Sequence, residues 1–397
     1  MKRMLAVLMI LGLFCGLLGG CGTNAPLTEA APTNTMIEPD EVGMDTTTTQ
    51  TEPPTEAKVP LHIAMIASNA LFGADFTGNR AMYEAMRSWS EANAAEFQYY
   101  KPQTFDEAGC IAIIEMAIAE GYELIMTTCR TYISAIARCA LKYPEVKFVA
   151  MDMTVSELQE AVGSNADFNN VHCCVFRNEV AGYLAGYAAV KLGYTGLGFV
   201  GGDGNPVNVR YGHGFVQGAD AAAGELGVDV TMKYVYNGET YGSQELTEQM
   251  DDWCAEGIQV IFGCDDTWFS AAEAVQKVGG KVIATVMDMA HTIDMYYGEG
   301  ITLTSAMVGF YPRIYDLLEE LAWDEAGNWE SYAGRTEVLG FPYLMLSEAT
   351  QWNEGFTQQD YEALCQAFDD GTLTVSDDVS QAPAVQYITV DYLNDAQ

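Results

Sequence analysis

The chain has 397 residues with 55 acidic against 18 basic side chains, a formal net charge of −37, and 49% apolar residues. It is long enough for a large core or two. Such an excess of acid makes nucleic acid and anionic lipid headgroups poor partners, because affinity for phosphates comes from Lys and Arg.

Met1-Lys2-Arg3 precedes an apolar run from Met4 to Leu18 and then Gly19-Gly20-Cys21. A basic start, about 15 apolar or small residues and a small-residue cleavage region make a signal peptide over 1–20, too short for a comfortable membrane span. Cys21 directly after Leu-Gly-Gly fits a bacterial lipobox, so its thiol is the expected lipidation site. Residues 21–58 are rich in Thr, Pro and Glu, with Thr47-Thr48-Thr49 and Pro53-Pro54, and are expected to form a disordered tether. Removing 1–20 takes away two basic residues and no acid, which moves the charge from −37 to −39. Nothing after Val59 resembles a membrane span, so the body is expected on the extracytoplasmic face of the cell membrane, held by lipid alone.

In the body, strand-like runs fall at 61–67, 124–128, 146–151, 171–175, 196–200, 228–236, 259–262, 281–286 and 301–307, with helical patterns between most of them. This alternation predicts an α/β architecture with mainly parallel sheets. An internal repeat strengthens it. Ala119-Glu120-Gly121 runs through to Asp152 over the same distance as Ala255-Glu256-Gly257 to Asp288. Each copy reads as strand, helix, turn and strand, with an Asp at the end. Ligands of open parallel sheets gather outside the carboxyl ends of strands. Two such units therefore predict two lobes facing one cleft, with Asp152 and Asp288 as paired acids. Crossings between lobes are expected near 170–176 and 287–290, giving 59–175 plus 288–325 as one lobe and 176–287 plus 326–397 as the other.

Catalytic and metal motifs are missing. The four histidines are not at metal-ligand spacing, and HExxH, GxSxG and GxxxxGK[ST] do not occur. Gly201-Gly-Asp-Gly204 reads as an interlobe turn, and Asp265-Asp266 as a solvated loop at a strand end. The eight cysteines of the body have no CxxC pair and sit mostly in apolar patterns, so no disulfide framework, metal site or cofactor is expected.

Three segments resemble the central signature of the basic membrane protein family: Phe176-Arg177-Asn178-Glu179-Val-Ala-Gly182 with Gly186, then Gly196-Leu-Gly198-Phe199-Val200-Gly201-Gly202, then Arg210-Tyr211-Gly-His-Gly214-Phe215-Val-Gln-Gly218. Asn79-Arg-Ala-Met-Tyr-Glu84, Tyr143-Pro144 and Leu303-Thr304-Ser305 add flanking matches, and the likeness covers roughly 61–320. Members are bacterial lipoproteins similar to the purine nucleoside receptors of ABC transporters. The resemblance implies a type I periplasmic-binding-protein fold, two Rossmann-like lobes with a hinge of three crossover strands. It also implies a monomeric, non-enzymatic protein that captures a nucleoside-like molecule and delivers it to an ABC permease. Residue by residue it places Asp152 and Asp288 on the ligand, with Asp288 at the ribose hydroxyls, Tyr211 stacked on the base, Asn79 as a polar contact and Gly263 where backbone approaches ligand. The chain departs from the family pattern at Gly78, where an aromatic is usual, and at Val308, where a Lys is usual. Phe72, Phe76 and Trp268 are candidates to supply the missing stacking face. Two other functions are compatible with the residues: an extracytoplasmic hydrolase using Asp152 and Asp288 as acid and base, and a ligand-sensing lipoprotein.

Overall fold

The computed structural model describes residues 60–67, 76–323 and 328–393, without the side chains of Phe76 and Thr77. The signal peptide, Cys21, the tether and Phe72 lie outside the described residues. The chain divides into two units, Met1–Glu56 and Ala57–Gln397, and the described residues all belong to the second.

Its first half lays down β1 (Ile63–Ile66), α1 (Phe76–Asn93), β2 (Phe97–Tyr100), α2 (Glu107–Ala119), β3 (Leu124–Thr127), α3 (Ile133–Lys142), β4 (Lys147–Met151), α4 (Val155–Val162) and β5 (Val171–Phe176). Then come α5 (Asn178–Lys191), β6 (Gly196–Val200), α6 (Pro206–Leu226), β7 (Val230–Val235), α7 (Gln244–Ala255), β8 (Val260–Gly263), α8 (Trp268–Gln276), β9 (Lys281–Val286), α9 (Ala290–Tyr297) and β10 (Thr302–Val308). The chain closes with α10 (Phe310–Leu321), β11 (Arg335–Leu339), β12 (Leu344–Leu346), α11 (Gln358–Asp369) and β13 (Ile388–Leu393).

Two sheets result, ordered β11-β5-β4-β3-β1-β2 and β12-β10-β9-β8-β6-β7-β13. Every pairing is parallel except β10 with β12. Parallel strands covered by helices on both faces need apolar side chains in both directions. Accordingly β1, β3, β6 and β8 are buried throughout. On β1, Ile63 and Met65 join a core shared with α1, α5 and α6, while Ala64 and Ile66 face a second core formed with α2 and α3. A third core fills the space between the other sheet and α7 to α9.

The chain passes between sheets three times, after β5, after β10 and after β11. The first crossing follows β5, which ends at Phe176. The second comes later than expected: β10 continues the second sheet beside β9, and β11 returns to the first sheet beside β5. Sheet membership therefore moves 302–308 out of the expected first lobe and 335–339 out of the expected second. The loop over 201–204 also differs from the interlobe reading. It joins β6 to α6 inside the second lobe, where Asn205 caps the helix by accepting from the Val207 and Asn208 amides and Pro206 takes the first helical position.

The glycines of the central signature have a packing role. Gly182 and Gly186 of α5 lie against the α6 backbone at Tyr211 and Phe215, Gly214 and Gly218 of α6 lie against the α5 backbone at Glu179 and Tyr183, and a Cβ at Gly214 would lie 1.8 Å from the Glu179 carbonyl oxygen. The two helices approach so closely that only hydrogen fits between their backbones.

Candidate functional site

A cavity of about 450 Å³ opens at the carboxyl ends of strands from both sheets. The first lobe contributes Asn79 from α1, Thr128 to Thr131 after β3 and Asp152 after β4. The second contributes Asp203 and Asn208 after β6, Thr240 and Tyr241 after β7, Asp265 after β8 and Val286 at the end of β9. Phe105 and Phe310 add aromatic surface.

Asp152 follows β4 with φ of +57°. Its amide donates to the Cys174 carbonyl oxygen at 2.7 Å, and its own carbonyl accepts from Arg130 Nη1. Burial pushes its carboxyl up to about 7; Arg130 opposes this, and Asp265 and Glu157 add to it. Asp265 stands in the other lobe, so the two carboxylates share one field across the cleft. It accepts from Nδ2 of Asn208, a buried residue held by the first turn of α6. Arg130 is the only basic side chain among the described lining residues. Its guanidinium is already paired with Glu157, which also boxes the start of α4 with Thr154. The cleft is thus rich in acceptors and suited to a molecule that brings hydroxyl or N–H donors.

Of the residues picked out in the sequence, Asn79 and Asp152 line the cavity. Asn79 is buried, and its Oδ1 accepts from Thr128 Oγ1 at 3.2 Å. Gly78 lines it as well, 3.9 Å from the Phe310 ring as measured from an added Cβ. Phe76 opens α1, but its side chain lies outside the described residues.

The others are placed elsewhere. Tyr211 is fully buried in α6, its ring edge-on to Phe262 at 5.9 Å and its hydroxyl donating to the Ala306 carbonyl at 3.3 Å. Gly263 is needed by its neighbours, since a Cβ there would lie 2.7 Å from the Trp268 amide. Trp268 is buried at the start of α8 and stacked on Phe269 at 3.8 Å. Val308 is core in β10. Asp288 is exposed, and its Oδ1 accepts from the Ala290 amide at 3.0 Å to form the turn that opens α9.

The reason Asp288 is displaced lies in the repeat. Ala119 and Ala255 stand five positions before β3 and β8, but β4 begins 28 residues after Ala119 and β9 only 26 after Ala255. The structural counterpart of Asp152 is therefore Val286. Both line the cavity and both have positive φ, +57° and +73°. A β-branched residue rarely adopts that conformation, which costs about 1–3 kcal/mol and concentrates at ligand clamps.

The acid that Asp152 meets from the second lobe is Asp265, which sequence reasoning passed over. The Asp265-Asp266 pair is not a solvated loop: Asp266 is buried and Asp265 lines the cleft with φ of +50°. Its signal was the one that marked Asp152, an acid just beyond an apolar strand. Asp203, three residues beyond β6, carried the same mark, whereas Arg130, Phe105, Tyr241 and Phe310 had no such signal.

Two α/β lobes of parallel strands, joined by three crossings and open at their carboxyl ends, define the type I periplasmic-binding-protein fold. Solved structures agree. The chain superimposes on an ABC transporter solute-binding protein from Conexibacter woesei DSM 14684 with a TM-score of 0.61 at 22% identity, covering 80% of this chain and 99% of that one. For a solute-binding protein of Aeropyrum pernix K1 the values are 0.58 and 16%, over 79% and 87%. The chain belongs to the Bmp family, ABC transporter substrate-binding proteins that are PnrA-like, whose sequence profile matches residues 61–364. This is a family of binding proteins rather than enzymes. The ABC transporter nucleoside-binding protein BmpA of Lactococcus lactis subsp. cremoris (strain MG1363) is 26% identical over 172 residues. That match takes in 42% of this chain and 46% of the relative, so it spans about half the length of the curated protein. No helix among the described residues is long and apolar enough to cross a membrane.

Proposed function

We propose that the protein captures a nucleoside-like molecule between its lobes and passes it to an ABC permease, while lipid on Cys21 holds it at the extracytoplasmic face of the membrane. The observation that carries this reading is the pairing of Asp152 and Asp265 from opposite lobes over one cavity with a single, already paired guanidinium. Two carboxylates confined together repel each other. A ligand that donates to both relieves this and favours the closed arrangement by its differential affinity. Vicinal sugar hydroxyls and a ring N–H or amino group supply such donors, while Phe105, Tyr241 and Phe310 offer faces for a flat base. Asn79 adds a polar contact. The role at the ribose expected of Asp288 passes in this reading to Asp265.

The test starts from whatever small molecule copurifies with the protein, identified by mass spectrometry. Calorimetric titration then compares a nucleoside, its 2′-deoxy analogue and its free base against wild type, Asp265→Ala and Asp288→Ala. Loss of a charge-assisted acceptor costs roughly 1.5–3 kcal/mol, at least tenfold in affinity. That loss is expected for Asp265→Ala, with Asp288→Ala within about twofold. Failure of every nucleoside to bind folded wild type would overturn the ligand class. Loss at Asp288→Ala alone would overturn the site.

A further inference from the structure

Three side chains with ligand atoms of different chemistry converge away from the cleft. His172 and Cys174 lie two apart on β5 and so share one face, and Glu337 on β11 is the register partner of Cys174. His172 Nε2 stands 3.2 Å from Glu337 Oε2 and 3.2 Å from Cys174 Sγ, and Sγ stands 3.6 Å from Oε2. A zinc ion with bonds of 2.0–2.3 Å in tetrahedral array puts N, S and O ligands about 3.3–3.6 Å apart. The three atoms already form one face of such a polyhedron.

From this geometry we infer that His172, Cys174 and Glu337 form a binding site for a borderline-soft divalent cation of the zinc class, at the edge of the first sheet beside the crossings. Imidazole, thiolate and carboxylate together are the donor set that suits such an ion. The surroundings fit. His172 Nδ1 faces the Tyr332 carbonyl at 3.2 Å, the outer contact that commonly fixes a metal-binding imidazole with its other nitrogen free to ligate. Both ring nitrogens then face oxygens that only accept, and a neutral imidazole carries one N–H to satisfy them. A cation held between Nε2 and Oε2 removes that mismatch, because both atoms then serve as its ligands. Arg313 donates to Glu337 Oε2 from Nε at 3.1 Å and Nη2 at 2.7 Å, which holds the carboxylate in place. His172, Cys174 and Arg313 are buried, but the Glu337 side chain is 34% exposed and gives an ion its way in. Glu337 is two residues before Leu339, whose carbonyl accepts from the Arg177 amide, so the site ties together the strands that lead into two of the crossings.

The experiment uses the full chain without a histidine tag, freed of metal by chelator dialysis and titrated with Co(II). One equivalent is expected to bind and to give a near-ultraviolet thiolate-to-cobalt charge-transfer band that Zn(II) abolishes, and Zn(II) is expected to raise the melting temperature. Cys174→Ala should remove the band and weaken binding at least tenfold. Glu337→Gln changes no core volume, so it serves should the first variant fold poorly; it should weaken binding at least tenfold while keeping the band. Absence of stoichiometric uptake, or a band and affinity unchanged in folded Cys174→Ala, would overturn the assignment. So would wild-type affinity in Glu337→Gln.

Discussion

Asp152→Asn tests the cleft through its protons. The folded protein holds this carboxyl at about 7 against an ordinary 3.8, chiefly by burial. Between those values the native state keeps a proton that the unfolded chain has shed. Its contribution to stability is therefore fully present below about pH 4 and is lost as pH rises through 7. One pKa unit corresponds to about 1.4 kcal/mol, so the loss between pH 5 and pH 8 is at most about 3 kcal/mol. Asp152 retains some open surface toward the cleft, and screening there brings the figure to about 2 kcal/mol. That is roughly 3 °C in melting temperature for a body of this size. His213, lowered by its own burial, contributes the opposite slope in the acid range, but equally in both proteins, so the difference between wild type and Asp152→Asn isolates the aspartate. Urea unfolding at pH 5, 6, 7 and 8 is the assay, with the wild-type slope steeper by this amount. Ligand affinity should run the other way and fall below pH 7 as the acceptor is protonated. Parallel stability profiles for the two proteins would refute the claim that Asp152 is a buried, field-coupled acid.

Gly214→Ala should lower stability by about 3 kcal/mol in chemical denaturation, since its methyl group has no room against the Glu179 carbonyl and α5 must move away from α6. Glu179 is wholly buried between Arg177 and Arg210, which are both partly exposed. Glu179→Ala is therefore expected to cost about 2 kcal/mol, less than the 3–5 kcal/mol seen when a stranded partner stays buried, by the same measurement. In cells given a fatty-acid probe, wild type should be labelled and Cys21→Ser should not; equal labelling of both would remove the lipid anchor from the proposed function.

Burial decides which parts of this molecule could be read from its sequence. The interior strands carry unbroken apolar runs because helices cover both their faces, and β9 begins and ends where the run does. Strands at or near the sheet edges have no such pattern. β2, Phe-Gln-Tyr-Tyr, is half-exposed, β11 is polar at Arg335 and Glu337, and β13 alternates only weakly, so all three escaped notice. The repeat predicted two lobes correctly but paired the wrong acids, because equal residue counts conceal a second strand that starts two positions earlier in the second copy. The signature that betrays the family is built on Gly182, Gly186, Gly214 and Gly218, whose task is to let two helices touch. Helix contact imposes a spacing of four that any reader of the chain can see. The cleft imposes none: Asp152, Asp203 and Asp265 sit on separate loops whose distance apart exists only after both sheets have formed. The family of the protein is therefore written in its packing, while its ligand is written in loop residues whose spacing along the chain carries no signature.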